Sequence, residues 1–228
     1  MKRKHTPQFL SQAWVPNYLK TMVKEFMTWF VGKIGAAKPF MPVIEEALTH
    51  TENRTILNIG HESGAGIETV KPYLDDDIHI IAAKLSLYEE KQKGLYLSVN
   101  GFHQLRQEEA SSLLEQIVAR GNPVAVVEGN NDSLWQVVGM TIFVPLTVLL
   151  TAPLVKPFRF GRLIFTYLIP VLPLITMIDG CMALFRLYAP SDLDELTHSI
   201  DAPSYQWRSG KMDNGRGGKI IYLLGYPL

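Results

Sequence analysis

The sequence has a single cysteine, Cys181, in 228 residues. No intrachain disulfide can form, and a stapled secreted scaffold is excluded. It also lacks any excess of charge, because Lys plus Arg and Asp plus Glu both total 22. Such a balance offers no broad positive field, so no nucleic-acid partner is expected. No group of His, Cys or acidic residues has metal-site spacing, and no metal is expected. A serine nucleophile elbow and a Gly-Lys-Ser/Thr phosphate loop are both missing. The basic start, MKRKHTPQFL, has no apolar stretch behind it long enough for a secretory signal. Its cations suit a solvated tail or an anionic lipid surface.

Charge is also missing over two long stretches. Residues 134–155 and 163–178 contain no Asp, Glu, Lys or Arg. A helix over the first would be about 33 Å long at ~1.5 Å per residue, enough to cross a bilayer. Pro145, Pro153, Pro170 and Pro173 interrupt the two arms. Asp179 would be costly in lipid unless it faced protein or water. A spanning hairpin would carry the basic tip (Lys156, Arg159, Arg162) to the side opposite a cytoplasmic domain, against the positive-inside bias. A hairpin dipping into one leaflet would instead leave that tip at the headgroups. Residues 133–188 are therefore expected to form a membrane-associated insert on the cytoplasmic side, monotopic or spanning. A hydrophobic cap or a dimer interface is the soluble alternative. The partners to expect are membrane lipid and, through residues 133–188, a membrane protein complex or a homo-oligomer. Asp179 is expected to pair with Arg186 two helical turns on.

The remaining chain alternates helix and strand periods. Residues 16–36 have Leu19, Met22, Val23, Phe26, Phe30 and Ile34 at helical spacing, which predicts an amphipathic helix, packed on the core or lying at a lipid interface. A second helix is expected over 41–50. Strands are predicted over 54–60, 77–85, 94–100 and 123–128, with helices over 64–74 and 106–120. Gly121 is positioned as a C-cap. Near-continuous apolar strands between helices imply a mainly parallel sheet covered on both faces. Ser191, with Asp194 three positions on, predicts a capped helix. Residues 205–212 and 219–226 flank a DNGRGG turn and predict an antiparallel hairpin. The expected divisions are a helical cap over 1–52, an α/β domain over 53–132 and 189–228, and the insert between them.

Residues 56–69, ILNIGHESGAGIET, place a glycine-rich turn between a strand and a helix. This stretch resembles the first cofactor motif of class I S-adenosylmethionine-dependent methyltransferases. FLSQAWVPNYLK, VNGFHQL, VAVVEG, RLIFTYLIPVLPLITMIDG, FRLYAPSDLDEL and YQWRSG extend the resemblance, over most of the chain, to bacterial methyltransferase-like proteins with a late apolar insert. It implies an α/β, Rossmann-like methyltransferase sheet with a helical N-terminal cap, a C-terminal antiparallel hairpin and an apolar helical insert. It implies S-adenosylmethionine as cofactor, held around Asn58, Gly60, Glu62, Gly64, Gly66 and Asn100. His103, which follows a strand end, is the candidate base, with Glu128 and Asp179 as further candidate catalytic residues. The motif is degenerate. Asn58 stands where an acid is expected, and Glu62 replaces the middle glycine. The second strand ends in Ala82 and Ala83 rather than in a ribose-binding acid, and a helix and a strand of the usual order have no counterpart after it. Two functions are thus implied: a membrane-associated methyltransferase acting on a lipid-like or apolar acceptor, or a pseudo-enzyme serving as a scaffold or accessory subunit of a membrane complex.

Overall fold

The computed structural model describes residues 3–60, 66–83, 92–131 and 133–228. Four strands run parallel: β1 (Thr55–Asn58), β2 (His79–Ala82), β3 (Leu95–Val99) and β4 (Val124–Glu128). A hairpin of β5 (Tyr205–Asp213) and β6 (Lys219–Pro227) then adds β6 antiparallel to β4. The sheet order is β2-β1-β3-β4-β6-β5. The chain is thus α/β with a mainly parallel sheet closed by an antiparallel hairpin, as the sequence predicts.

All ten residues of β3 and β4 are buried. Successive side chains in a strand point to opposite faces, and the sheet therefore builds two cores. Leu95, Leu97, Val99, Ala125 and Val127 face α2 (Met41–Thr49). Tyr96, Val124 and Val126 face α3 (Gln107–Ala119) and the later helix Pro190–His198. α3 ends where expected, with Gly121 at φ 63° in the left-handed region a C′ residue favours.

Two helical expectations need correction. Residues 64–74 are not one helix. Residues 61–65 lie outside the described residues, and beyond them stand only two short 3-10 turns, Ile67–Thr69 and Lys71–Tyr73. Pro72 has no N–H to donate to an α-helical ladder there. The helix expected at Ser191 starts earlier, with Pro190 in its first turn. Asp192, not Asp194, accepts the backbone N–H of Ala189 at 2.9 Å. Asp194 instead accepts the Ser209 hydroxyl on β5 at 2.6 Å.

The apolar residues form a third unit. Helix α1 (Asn17–Lys33) packs Leu19, Met22, Val23 and Phe26 against Val148, Val155 and Leu172. Helix α4 (Leu134–Thr151) passes Pro145 without ending, and Pro153 falls in the 3-10 turn that follows. Pro153 has no N–H for the Leu149 carbonyl, and the Tyr167 hydroxyl donates to that carbonyl instead. A short helix α5 (Phe160–Leu163) runs into a π turn, Ile164–Leu168. An elbow of 80° at residues 169–170 then leads into α6 (Val171–Arg186), and the helix at Pro190–His198 becomes α7. Among the described residues, Leu134–Leu154 alone is a straight helix long and apolar enough to cross a membrane; the bent pair passes the same test only if taken as one span.

The basic tip is not free. Arg162 is 1% exposed; it donates to the carbonyls of Val155 and Pro157 at 2.8 and 3.1 Å, and its Nη2 meets Glu25 of α1. Arg159 binds the same carboxylate, Nε to Oε2 at 2.8 Å and Nη2 to Oε1 at 2.6 Å. Glu25 claims both arginines, so of the tip's three cations only Lys156 is without an ion pair among the described residues. Removing one partner of a buried pair leaves an uncompensated charge. Glu25→Ala should cost about 3–5 kcal/mol in thermal or denaturant unfolding. Glu25→Leu with Arg162→Met should recover most of that loss.

Candidate active site

In an open α/β sheet, ligands lie beyond the carboxyl ends of the strands, where the strand order reverses. Here that point falls between β1 and β3, since β1 connects outward to β2 and the chain then returns to β3. Asn58 ends β1 and Asn100 follows β3. The Asn58 side-chain oxygen accepts the Gly60 N–H at 3.1 Å, which curls the chain over the strand end. A Cβ on Gly60 would come 3.1 Å from that oxygen, and one on Gly66 would come 3.5 Å from the Val99 carbonyl. Both glycines thus lie close to the end of β3. Glu62 and Gly64, the other two residues expected in this turn, lie outside the described residues.

Asn100 adopts φ 51°, a left-handed conformation that Asn tolerates better than most residues. Its N–H donates to the Val127 carbonyl at 2.9 Å, and its side-chain oxygen accepts the Gly129 N–H at 2.7 Å. A Cβ on Gly129 would come within 3.2 Å of both Asn100 Oδ1 and Phe40 Cζ, a close approach that glycine permits without a shift. The ends of β3 and β4 are thereby stitched together.

His103 and Glu128 meet beside this stitch. The His103 Nδ1 lies 3.0 and 3.2 Å from the two carboxylate oxygens, and the His103 backbone N–H donates to Oε1 at 3.0 Å. Both residues are buried. A carboxylate on Nδ1 fixes the tautomer with its lone pair on Nε2. Nε2 makes no hydrogen bond among the described residues. An imidazole held in this tautomer can act as a proton acceptor through Nε2.

The 3-10 turn carrying His103 (Phe102–Gln104) is held from behind by Arg186 at the end of α6. Arg186 donates to the His103 carbonyl at 3.3 Å, to the Thr6 carbonyl at 3.2 Å and to the Gln104 carbonyl. Burial, and then the charge of Arg3, lower its pKa. No Asp179–Arg186 ion pair forms, contrary to expectation. The Asp179 carboxylate instead accepts the backbone N–H groups of Phe9 and Leu10 at 2.6 and 2.8 Å, satisfying donors at the start of a 3-10 turn. Burial raises the Asp179 pKa, against the opposing pull of those two N–H groups and of Arg186. No hydrogen bond or ion pair among the described residues joins Asp179 to His103 or Glu128. The structure thus sets Asn58, Gly60, Gly66 and Asn100 around the carboxyl ends of β1 and β3, joins His103 to Glu128 at the end of β4, and leaves Asp179 apart.

The N-terminal segment is not a solvated tail. Arg3 donates to the carbonyls of Arg186 and Leu105 at 2.9 and 2.6 Å, and its guanidinium lies 3.8 Å from the centre of the Tyr188 ring. Lys4 N–H donates to the Phe185 carbonyl at 2.8 Å. Residues 3–11 form a strap across the end of the insert and the back of the His103 turn. Nothing in the spacing of MKRKHTPQFL signals this, because the partners are backbone carbonyls. Asp179→Ala should leave the Phe9 and Leu10 N–H groups unpaired at a cost of about 1–3 kcal/mol. Limited proteolysis of the variant should then cut within residues 3–12 well before the wild type.

No protein-family model and no curated protein matches this chain. Solved structures similar to it include the plantazolicin methyltransferase BpumL in complex with SAH, and the same enzyme with a monoazolic desmethylPZN analog and SAH. Identity is 10% and 11%, coverage is 93% of this chain and 97% of theirs, and the TM-score is 0.42 in both.

Proposed function

We propose that this protein is a membrane-associated, S-adenosylmethionine-dependent methyltransferase whose acceptor is lipid-like, with an apolar body and an O–H or N–H group. The observation that carries this is the His103–Glu128 dyad set beside the reversal point of the sheet, with Gly60 and Gly66 close to the end of β3. The glycine cradle fits a cofactor there: Gly60 and Gly66 would allow close approach, and Asn58 and Asn100 would border it. The β2 end fits less well, as Ala82 and Ala83 offer no carboxylate to ribose hydroxyls. The cofactor, when bound, supplies an electrophilic methyl group. His103 Nε2 would take the acceptor's proton, and Glu128 would stabilise the imidazolium that results. The apolar insert leaves the sheet directly after β4 and returns at Arg186, against the His103 carbonyl. An acceptor lying along the insert would therefore reach the site from a lipid surface.

A second reading is a pseudo-enzyme that scaffolds a membrane complex. Asn58 supports it, because its oxygen is occupied by the Gly60 N–H where a carboxylate would otherwise be expected. Calorimetric titration of the detergent-solubilised protein with S-adenosylmethionine and S-adenosylhomocysteine separates the two. Micromolar binding that Gly66→Arg abolishes is the expected result. His103→Gln should keep that binding and lower methyl transfer to membrane extracts by about 10²–10⁴-fold. Absence of heat from folded protein would favour the scaffold.

A further inference from the structure

The unit built from α1, α4, α5 and α6 exposes much of its apolar surface. Trp135 is 82% exposed, Leu168 78% and Leu150 68%, and Phe143 and Phe160 are similarly open. Monomeric soluble proteins rarely leave contiguous apolar surface uncovered on this scale. The charges of the same unit are one-sided. Residues 12–42 and 133–190 contain two acids, Glu25 and Asp179. Arg159 and Arg162 hold the first, and the backbone of Phe9 and Leu10 holds the second. Lys24 and Lys33 of α1 and Lys156 of the tip are exposed. Cations beside an apolar face complement anionic headgroups. A second copy of the chain would instead bring like charges together.

The two ends of α4 are both tied to the α/β body. At its start, Asn131 accepts the Ser133 N–H at 2.9 Å and donates to the Lys219 carbonyl of β6 at 3.1 Å. Past its far end, residues 155–162 are clasped to α1 through Glu25. Helix α1 packs on the turn Ile67–Thr69, and the chain continues from it into α2 against β4 and β6. A spanning α4 would have to carry residues 155–162 about 30 Å away, across the hydrocarbon, and break the Glu25 clasp. The 80° elbow before α6 likewise folds the return arm back rather than extending it.

Building on the membrane association proposed above, we infer that the insert occupies a single leaflet of an anionic bilayer. Helix α4 lies along the headgroup–acyl boundary, and Lys156 stays on the same side as the α/β domain. The test adds full-length protein to preformed vesicles of phosphatidylcholine, with or without phosphatidylglycerol. Flotation is read first, and then labelling by a membrane-impermeant maleimide. The labelling variants carry Lys156→Cys or, as a domain control, Glu108→Cys, each with Cys181→Ala. The expected result is several-fold more flotation with phosphatidylglycerol, weakened by salt, and labelling of both cysteines without detergent. If Lys156→Cys labels only after detergent while Glu108→Cys labels before it, the insert spans and the inference is overturned. Equal flotation on both vesicles would overturn its anionic part. If folded protein floats with neither, the membrane reading itself fails; concentration-dependent self-association would then assign the face to a second copy.

Discussion

The Arg186 guanidinium is the point on which the arrangement depends. It is a permanent cation with five N–H donors, buried where no carboxylate pairs with it among the described residues. It is satisfied by carbonyls of the N-terminal strap and of the turn carrying His103. Those carbonyls belong to segments 83 and 180 residues away in sequence, so one side chain fixes strap, site turn and insert relative to each other. A lysine could not replace it, because one ammonium does not reach several divergent acceptors in a planar fork. Arg3 and Tyr188 close the same region from outside, through a guanidinium stacked on a ring that in turn donates to the Leu105 carbonyl.

A second constraint is the conflict between burying apolar surface and satisfying backbone groups. The α/β body resolves it in the usual way, with helices on both faces of the sheet. The insert resolves it with side chains. Tyr167 serves a carbonyl that Pro153 leaves open, Thr176 returns its hydroxyl to the Leu172 carbonyl at 2.7 Å, and Asp179 takes two donors from the strap. Tyr167 and Asp179 thus supply partners to backbone groups, while large apolar side chains such as Trp135, Leu150 and Leu168 stay on the unit's surface.

The sheet was largely legible because β3 and β4 are short apolar runs bounded by turn residues. β1 and β2 were legible too, although their ends shorten where pairing stops. The pairing of Glu128 with His103 was not legible as a pair; each stood out alone as a polar residue at a strand end, 25 positions apart. The strap was invisible because backbone carbonyls leave no trace in side-chain pattern. Glu25 lay on a predicted helix as an ordinary charge, and only the fold shows that it neutralises a tip more than 130 residues away. Asp179 misled for a related reason. Sequence spacing offered Arg186 as its partner, but two backbone N–H groups already meet its carboxylate.

The sheet order has a further consequence for how the chain is made. β4 is the inner neighbour of β6, yet about ninety residues separate them, and the whole apolar insert lies between. During synthesis at ~5–20 residues per second, β4 waits roughly 5–18 s with one edge unpaired. The insert emerges in that interval, before the hairpin that closes the sheet exists. A lipid surface that takes up α4 as it appears would shield the apolar segment and hold both of its ends near the waiting edge. For a chain bound to lipid as proposed above, the order of translation would make the membrane a participant in folding.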